Sequence, residues 1–167
     1  MTDLADLATR VARIEDWIAL QALMGEYRDA ADAFDFVRWT SLFTEDAYFD
    51  QKGTVFADLR GRQLIYDRCV EQVVGNWEMT QHALANCTFT IDGDRASGAA
   101  DMLYTALRKG AKNKSDYFQG FSHYRMNFVR TPQGWKIKEL FGNPIADTAG
   151  KSWAEVFGQQ DKAAASD

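Results

Sequence analysis

Histidine and cysteine are scarce in this 167-residue chain, with two of each. No apolar run approaches the ~18 residues a membrane-spanning helix needs. Cys69 and Cys87 are isolated, without CxxC spacing, which speaks against a zinc site or a disulfide and suits small apolar fillers in a reducing compartment. Positive charge is also in the minority: 19 Lys and Arg against 24 Asp and Glu leave a net charge of -5. With a pI near 5.0, the chain lacks the basic footprint that nucleic acid or an anionic membrane requires. Phosphate-binding loops of the GxGxxG or GxxxxGK type are missing, as are HxxxH, HExxH and GxSxG. These absences point to a reaction without metal or cofactor on a small molecule. The opening MTDLADLATR carries acids where a secretory signal has a basic segment and an apolar core, so a cytoplasmic address is expected.

What is present is apolar bulk: 46% hydrophobic and 13% aromatic residues, enough for one well-covered core. We expect a single domain over residues 1–158 and a frayed tail over 159–167. Leu7, Val11, Ile14 and Ile18, then Met24, Tyr27, Ala31 and Phe34, recur at helical spacing and predict a long first helix. A second short helix is expected over 35–46, with Trp39, Leu42 and Phe43 inward. After an extended piece from Tyr48 to Gly53, a third helix follows Gly61, with Leu64, Ile65, Cys69 and Val73 inward.

The period then changes. Residues 79–91, 95–108, 116–130 and 135–141 are rich in β-branched and aromatic residues and approximate alternation, separated by Asp92-Gly93-Asp94, a polar loop and Thr131-Pro132-Gln133-Gly134. Helices followed by consecutive antiparallel strands predict an α+β architecture: a curved, mostly antiparallel sheet wrapped as a cone around a long N-terminal helix and two shorter ones. Inward side chains of such a sheet line the space the helices leave open.

The stretches IEDWIALQALMGEYRDAADAFDFVRWTSLFTEDAYFD, TQHALANCTFTIDGDRASGAA and FSHYRMNFVRTPQGWKIKELF resemble the nuclear-transport-factor-2-like superfamily, in particular its SnoaL-like branch. The resemblance covers roughly the whole chain and implies the cone-shaped α+β barrel, a small-molecule substrate, and a homodimer or higher assembly. Scytalone dehydratase-like and bile-acid dehydratase-like members place a tyrosine and an aspartate five residues apart on the first helix and a histidine on a central strand. Tyr27, Asp32 and His82 stand at matching places. His123 matches a second histidine, and Asn143, in Phe141-Gly142-Asn143-Pro144, a polar substrate-binding group. Gln51 stands where the dehydratase would carry another tyrosine.

Each candidate has a plain alternative. His82 could be a core histidine bonded to backbone, and His123 a residue at the cone's mouth. On a straight helix Tyr27 and Asp32 are about 140° apart, and Asp32 shares its face with Arg28, Asp29 and Asp35. Asp50 and Tyr27 resemble the ketosteroid isomerase pair, with Asp50 as base; otherwise it is an exposed strand-end acid. Tyr48, Tyr104, Phe121 and Trp153 are expected on the substrate side, and Tyr66, Trp77, Phe89, Met102, Phe118 and Met126 in cavity or core, which suits a hydrophobic, aromatic or polycyclic substrate.

The chemistry expected of this set is elimination next to an acidic carbon, which needs a base, an acid for the leaving group and a donor for the developing enolate. His82 as base, oriented by Asp32, with Tyr27 as donor to a substrate oxygen and His123 as proton source, makes a dehydratase-like lyase acting on a carbonyl-bearing or phenolic small molecule, with halide or formaldehyde as other leaving groups. An isomerase or polyketide cyclase led by Asp50, and a non-catalytic binding or association subunit, are the alternatives.

Overall fold

The protein is described by a computed structural model covering residues 3–112 and 117–147. Asp3 caps the first helix, α1 (Leu4–Asp32), by accepting the Ala5 N–H. Ala33 closes it, and Phe34 at φ 57° turns the chain out of the helical path. The C-terminal half of α1 buries Leu20, Leu23, Met24, Tyr27, Ala30 and Ala31. Its N-terminal half leaves Leu7, Val11, Ile14 and Ile18 largely exposed, although their spacing predicted an inward face.

Asp35 accepts the Arg38 N–H and caps α2 (Phe36–Thr40). This helix is shorter than the expected 35–46: Thr40 Oγ1 bonds back to the Phe36 carbonyl, and Phe43 already starts β1 (Phe43–Gln51) beside Ile137. Arg38 clamps the two helices together through Glu26, with Nη2 donating to Oε2 at 2.7 Å. Then come β2 (Leu59–Arg60) and α3 (Arg62–Cys69), whose end continues as one wider π turn over Val70–Val74. Ile65 and Cys69 face the core as expected, but Leu64 is exposed.

Four long strands follow: β3 (Trp77–Asp92), β4 (Arg95–Arg108), β5 (Tyr117–Thr131) and β6 (Gly134–Asp147). Among the described residues the sheet order is β2-β1-β6-β5-β4-β3, antiparallel throughout except where β1 runs parallel to β6. The expected curved, mostly antiparallel sheet and its helical cover are therefore present. Register shifts after Ala85, Phe121 and Asn127 supply the local bends that curve it. Gly98 lies at one such bend, where a Cβ would come within 2.7 Å of the Thr88 carbonyl oxygen.

The core lies between the concave face of the sheet and the helices. Leu20, Ile65, Ile137 and Leu140 are fully buried there, each contributing about 1.5–3 kcal/mol of transfer free energy. On the α1 flank, Asp16 accepts from Arg130 Nη2 at 2.6 Å and from Trp135 Nε1 at 3.1 Å, tying the helix to β5 and β6. No described helix is long and apolar enough to cross a membrane. Trp153 and the expected tail over 159–167 lie outside the described residues.

Candidate active site

Between helices and sheet the cone holds a cavity of about 800 Å³ that is partly open to solvent. Alternation along each strand decides which side chains reach it. From β3 come Thr80 and His82, from β4 Met102 and Tyr104, from β5 Tyr124, and from β1 Phe49 and Gln51, while α1 adds Tyr27. Met102, Tyr104, Trp77, Phe118 and Phe121 line the cavity, whereas Met126 is buried in the core and Tyr66 packs against it. Phe89 instead sits edge-on to Trp17 at 6.2 Å.

On the cavity wall, His82 is backed by Asp32. Asp32 Oδ1 lies 2.6 Å from His82 Nδ1, and the same carboxylate takes the His82 backbone N–H at 3.0 and 3.1 Å. Thr80 Oγ1 donates a further bond at 3.3 Å. Burial pushes the Asp32 carboxyl up, but the ring and backbone donors of His82 together with Thr80 outweigh it and hold the group below the ordinary carboxylate value. An ionised Asp32 accepts only, so it selects the tautomer with Nδ1–H and leaves Nε2 as the free acceptor.

The face shared with Arg28 and Asp29 suggested an ordinary solvated position. Those two residues do pair with each other at the surface, but Asp32 is the last residue of α1. At that position its side chain reaches β3, and its exposure falls to 23% against 54% for Asp29.

Tyr27 is fully buried, T-shaped to His82 at 6.3 Å and to Tyr124 at 6.4 Å. Tyr104 lies 4.8 Å from His82, ring centre to ring centre. Burial holds the phenols of Tyr27, Tyr104 and Tyr124 above their usual range; nearby groups add to it at Tyr27 and Tyr104, whereas at Tyr124 burial prevails over the hydrogen bonds to Tyr27 and Gln51, and all three stay protonated near neutral pH. Burial also pushes the Cys69 thiol up to about 12, which keeps it an unreactive part of the lining. The buried Trp39 Nε1–H has no oxygen or nitrogen partner among the described residues; its ring packs edge-on to Phe43 at 4.9 Å.

Four expected site residues point elsewhere. His123 alternates with the inward Tyr124 and stands on the convex face, 61% exposed, with Nδ1 2.7 Å from Asp101 Oδ1. Asn143 is its register partner on β6 and shares that exposed face. Tyr48 also faces outward, its ring beneath the Arg60 guanidinium and against Phe141. Asp50 is buried but lies between the inward Phe49 and Gln51, and its carboxylate accepts the Asp58 backbone N–H at 3.2 Å. In each case β alternation, which sets the face, overrides nearness in the sequence.

The sequence marks Gln51 only as a departure from the dehydratase pattern, and Tyr124 and Gly142 escaped the sequence reading as site residues. Gln51 Nε2 donates to the Tyr124 hydroxyl at 2.9 Å. Gly142 makes room for the pair: a Cβ there would fall 2.9 Å from Gln51 Cγ and 3.3 Å from Tyr124 Cε1. The available signal was the period-two run Tyr124, Met126, Phe128, which puts Tyr124 inside as surely as it puts His123 outside. Among the described residues no cluster of His, Cys, Asp and Glu has the makings of a metal site.

Comparison with known proteins gives a consistent picture. An uncharacterized protein of Mycobacterium tuberculosis strain H37Rv is 32% identical over 127 residues, 76% of this chain and 84% of that one. An NTF2-like protein with a cystatin-like fold from Novosphingobium aromaticivorans superposes with TM-score 0.72 at 26% identity, covering 93% of this chain and 97% of that one. Two more distant structures share the fold. A candidate scytalone dehydratase from the same organism has TM-score 0.74 and 16% identity over 82% of this chain and 89% of its own. The hexachlorocyclohexane dehydrochlorinase LinA type 2 has TM-score 0.73 and 18% identity over 83% and 91%. Residues 12–140 match the SnoaL-like domain, and the chain belongs to that family, with the NTF2-like cone as its fold.

Proposed function

We infer that the protein is a cofactor-independent lyase acting on a hydrophobic, aromatic or polycyclic small molecule by general acid–base catalysis. The observation that carries this reading is His82 on the wall of a cavity of about 800 Å³ with Asp32 behind it at 2.6 Å. His82 Nε2 takes the proton from an acidic carbon, and the C–H electron pair moves toward the adjacent activating group. Asp32 steadies the imidazolium that forms. As the electrons return, the bond to the leaving group breaks with its pair. With His123 on the far face, the same imidazolium returns the proton to a departing hydroxyl, which restores neutral His82. Halide would leave with the bonding pair, and the imidazolium would then give its proton to solvent; formaldehyde would leave after His82 takes the hydroxyl proton and the C–C bond breaks, the imidazolium returning that proton to the carbon left behind.

The fold neighbours named as a dehydratase and a dehydrochlorinase are in keeping with elimination. An isomerase led by Asp50 is disfavoured because that carboxylate is turned from the cavity and occupied by Asp58. A binding protein without catalysis would share the cavity but have no need of the dyad. We take the location to be cytoplasmic, in keeping with two free thiols, and the assembly to be a homo-oligomer, for which the exposed stripe of Leu7, Val11, Ile14 and Ile18 is suited.

The test needs no knowledge of the leaving group. Exchange of the α-protons of 2-tetralone in D2O, followed by NMR, reports proton abstraction alone. His82→Gln should lower protein-catalysed exchange by about 10²-fold or more with folding intact. Undiminished exchange in that variant would exclude His82 as the base.

A further inference from the structure

Beyond the dyad the cavity wall carries a second polar group. Tyr124 accepts a hydrogen bond from Gln51 Nε2 at 2.9 Å, and the Tyr27 phenol is its neighbour across a T-shaped contact of 6.4 Å. The phenol groups are close enough that each perturbs the other's ionisation. Their proton count has a definite outcome. Two hydroxyls bring two protons, a contact between them consumes at most one, and the Gln51 amide nitrogen donates rather than accepts. At least one phenol O–H is therefore left without an acceptor among the described residues, in a pair that lines the cavity together with His82.

The arrangement is also built rather than incidental. Gly142, on β6, is the residue whose missing side chain lets Gln51 lie against Tyr124. Both tyrosines are 1% exposed and both line the cavity, so an unmatched phenol donor there can be met only by an acceptor inside it.

We propose that Gln51, Tyr124 and Tyr27 form an oxyanion cradle, with Tyr124 as a further substrate-binding group and Gln51 as the residue that positions it. The cradle favours the carbonyl or phenolic substrate expected from the sequence, a carbon acid activated by oxygen, over a halocarbon without oxygen. This rests on the lyase reading and sharpens it: His82 removes the proton, and the cradle takes the charge that develops on the substrate oxygen. Gln51 serves by keeping its donor on the Tyr124 oxygen, so that the phenol proton is directed away from Gln51.

The probe is 4-nitrophenol, whose colour shows whether it binds as the phenolate, compared with 4-nitrotoluene, which has a methyl group in place of the hydroxyl. The native protein should prefer 4-nitrophenolate over 4-nitrotoluene. Tyr124→Phe and Gln51→Glu should each weaken phenolate binding about tenfold or more while leaving 4-nitrotoluene binding unchanged, which also reports an intact cavity. Gln51→Glu acts by turning a donor into an acceptor, so the Tyr124 proton is drawn away from the ligand. Should Tyr124→Phe fail to fold, Gln51→Glu and Gln51→Leu carry the test alone. No preference for the phenolate in the native protein, or a preference insensitive to these variants and so supplied by the cavity-lining Lys52 or Arg108, would overturn the cradle. His82→Gln separates the two claims: it should abolish 2-tetralone exchange yet keep the phenolate preference. Loss of the preference in the Gln51 and Tyr124 variants alone, with exchange unaffected by His82→Gln, would refute the dyad and leave the cradle standing.

Discussion

Asp32 Oδ1 lies 2.6 Å from His82 Nδ1, and the same carboxylate also holds the backbone N–H of His82. One acidic group thus fixes both the ring and the strand that carries it. A carboxylate that merely neutralised a nearby charge would not need the backbone contact. The double attachment sets ring orientation and tautomer together, which is what a base aimed at a fixed carbon requires.

Asp32→Asn tests that role with little change in shape. The Asn amide can donate to Nδ1, which moves the imidazole proton to Nε2 and removes the acceptor from the cavity. Exchange of 2-tetralone α-protons should fall about 10²–10⁴-fold, while the far-ultraviolet circular dichroism spectrum stays unchanged. Retention of the native exchange rate would show that Asp32 only supports the fold.

His123→Ala and Asp50→Asn test the faces. His123 is paired with Asp101 on the convex surface, and Asp50 is directed at Asp58. His123→Ala should leave the exchange rate within about twofold, since surface substitutions away from a site have small effects. Asp50→Asn should lower the melting temperature without a selective loss of exchange. A loss of about 10²-fold from Asp50→Asn would instead restore the isomerase reading.

Acid stability follows from the two carboxyls that link α1 to the sheet. Hydrogen bonding to Arg130 holds Asp16 below its ordinary value despite burial, and the contacts of His82 and Thr80 hold Asp32 there against burial. For a depressed carboxyl the unfolded chain binds its proton first, so the stabilisation is complete above the unfolded value and disappears as pH falls through the folded one. Asp16→Asn should lower the melting temperature at neutral pH by about 2–4 °C. The gap between native and variant should close below about pH 4. A constant gap down to pH 2 would mean that Asp16 acts through packing alone.

The fold was legible because periodicity is local. The switch from helical spacing in α1 and α3 to alternation in β3 through β6 appears in the residues themselves, and the turns at Gly93 and Pro132 fall where expected. His82 and Asp32 were legible as a pair only through the family resemblance, since 50 residues separate them and the helical angle pointed Asp32 outward. The errors share one cause. His123, Asn143, Tyr48 and Asp50 sit one step along a strand from inward residues, and a single step reverses the face. Gln51–Tyr124 was hidden because 73 residues separate the partners and the gap that admits them is the missing side chain of a third residue, Gly142. The exposed apolar stripe at the start of α1 shows the opposite limit: spacing reveals an apolar face but not what lies against it.

The most direct test of the account is the tautomer of His82, read from the nitrogen chemical shifts and ring couplings of ¹⁵N-labelled protein at neutral pH, with His123→Ala used to assign the two rings. The account predicts a proton on Nδ1, held by Asp32, and an unprotonated Nε2. A neutral ring carrying its proton on Nε2 would contradict it, because that atom could then accept nothing from a substrate carbon.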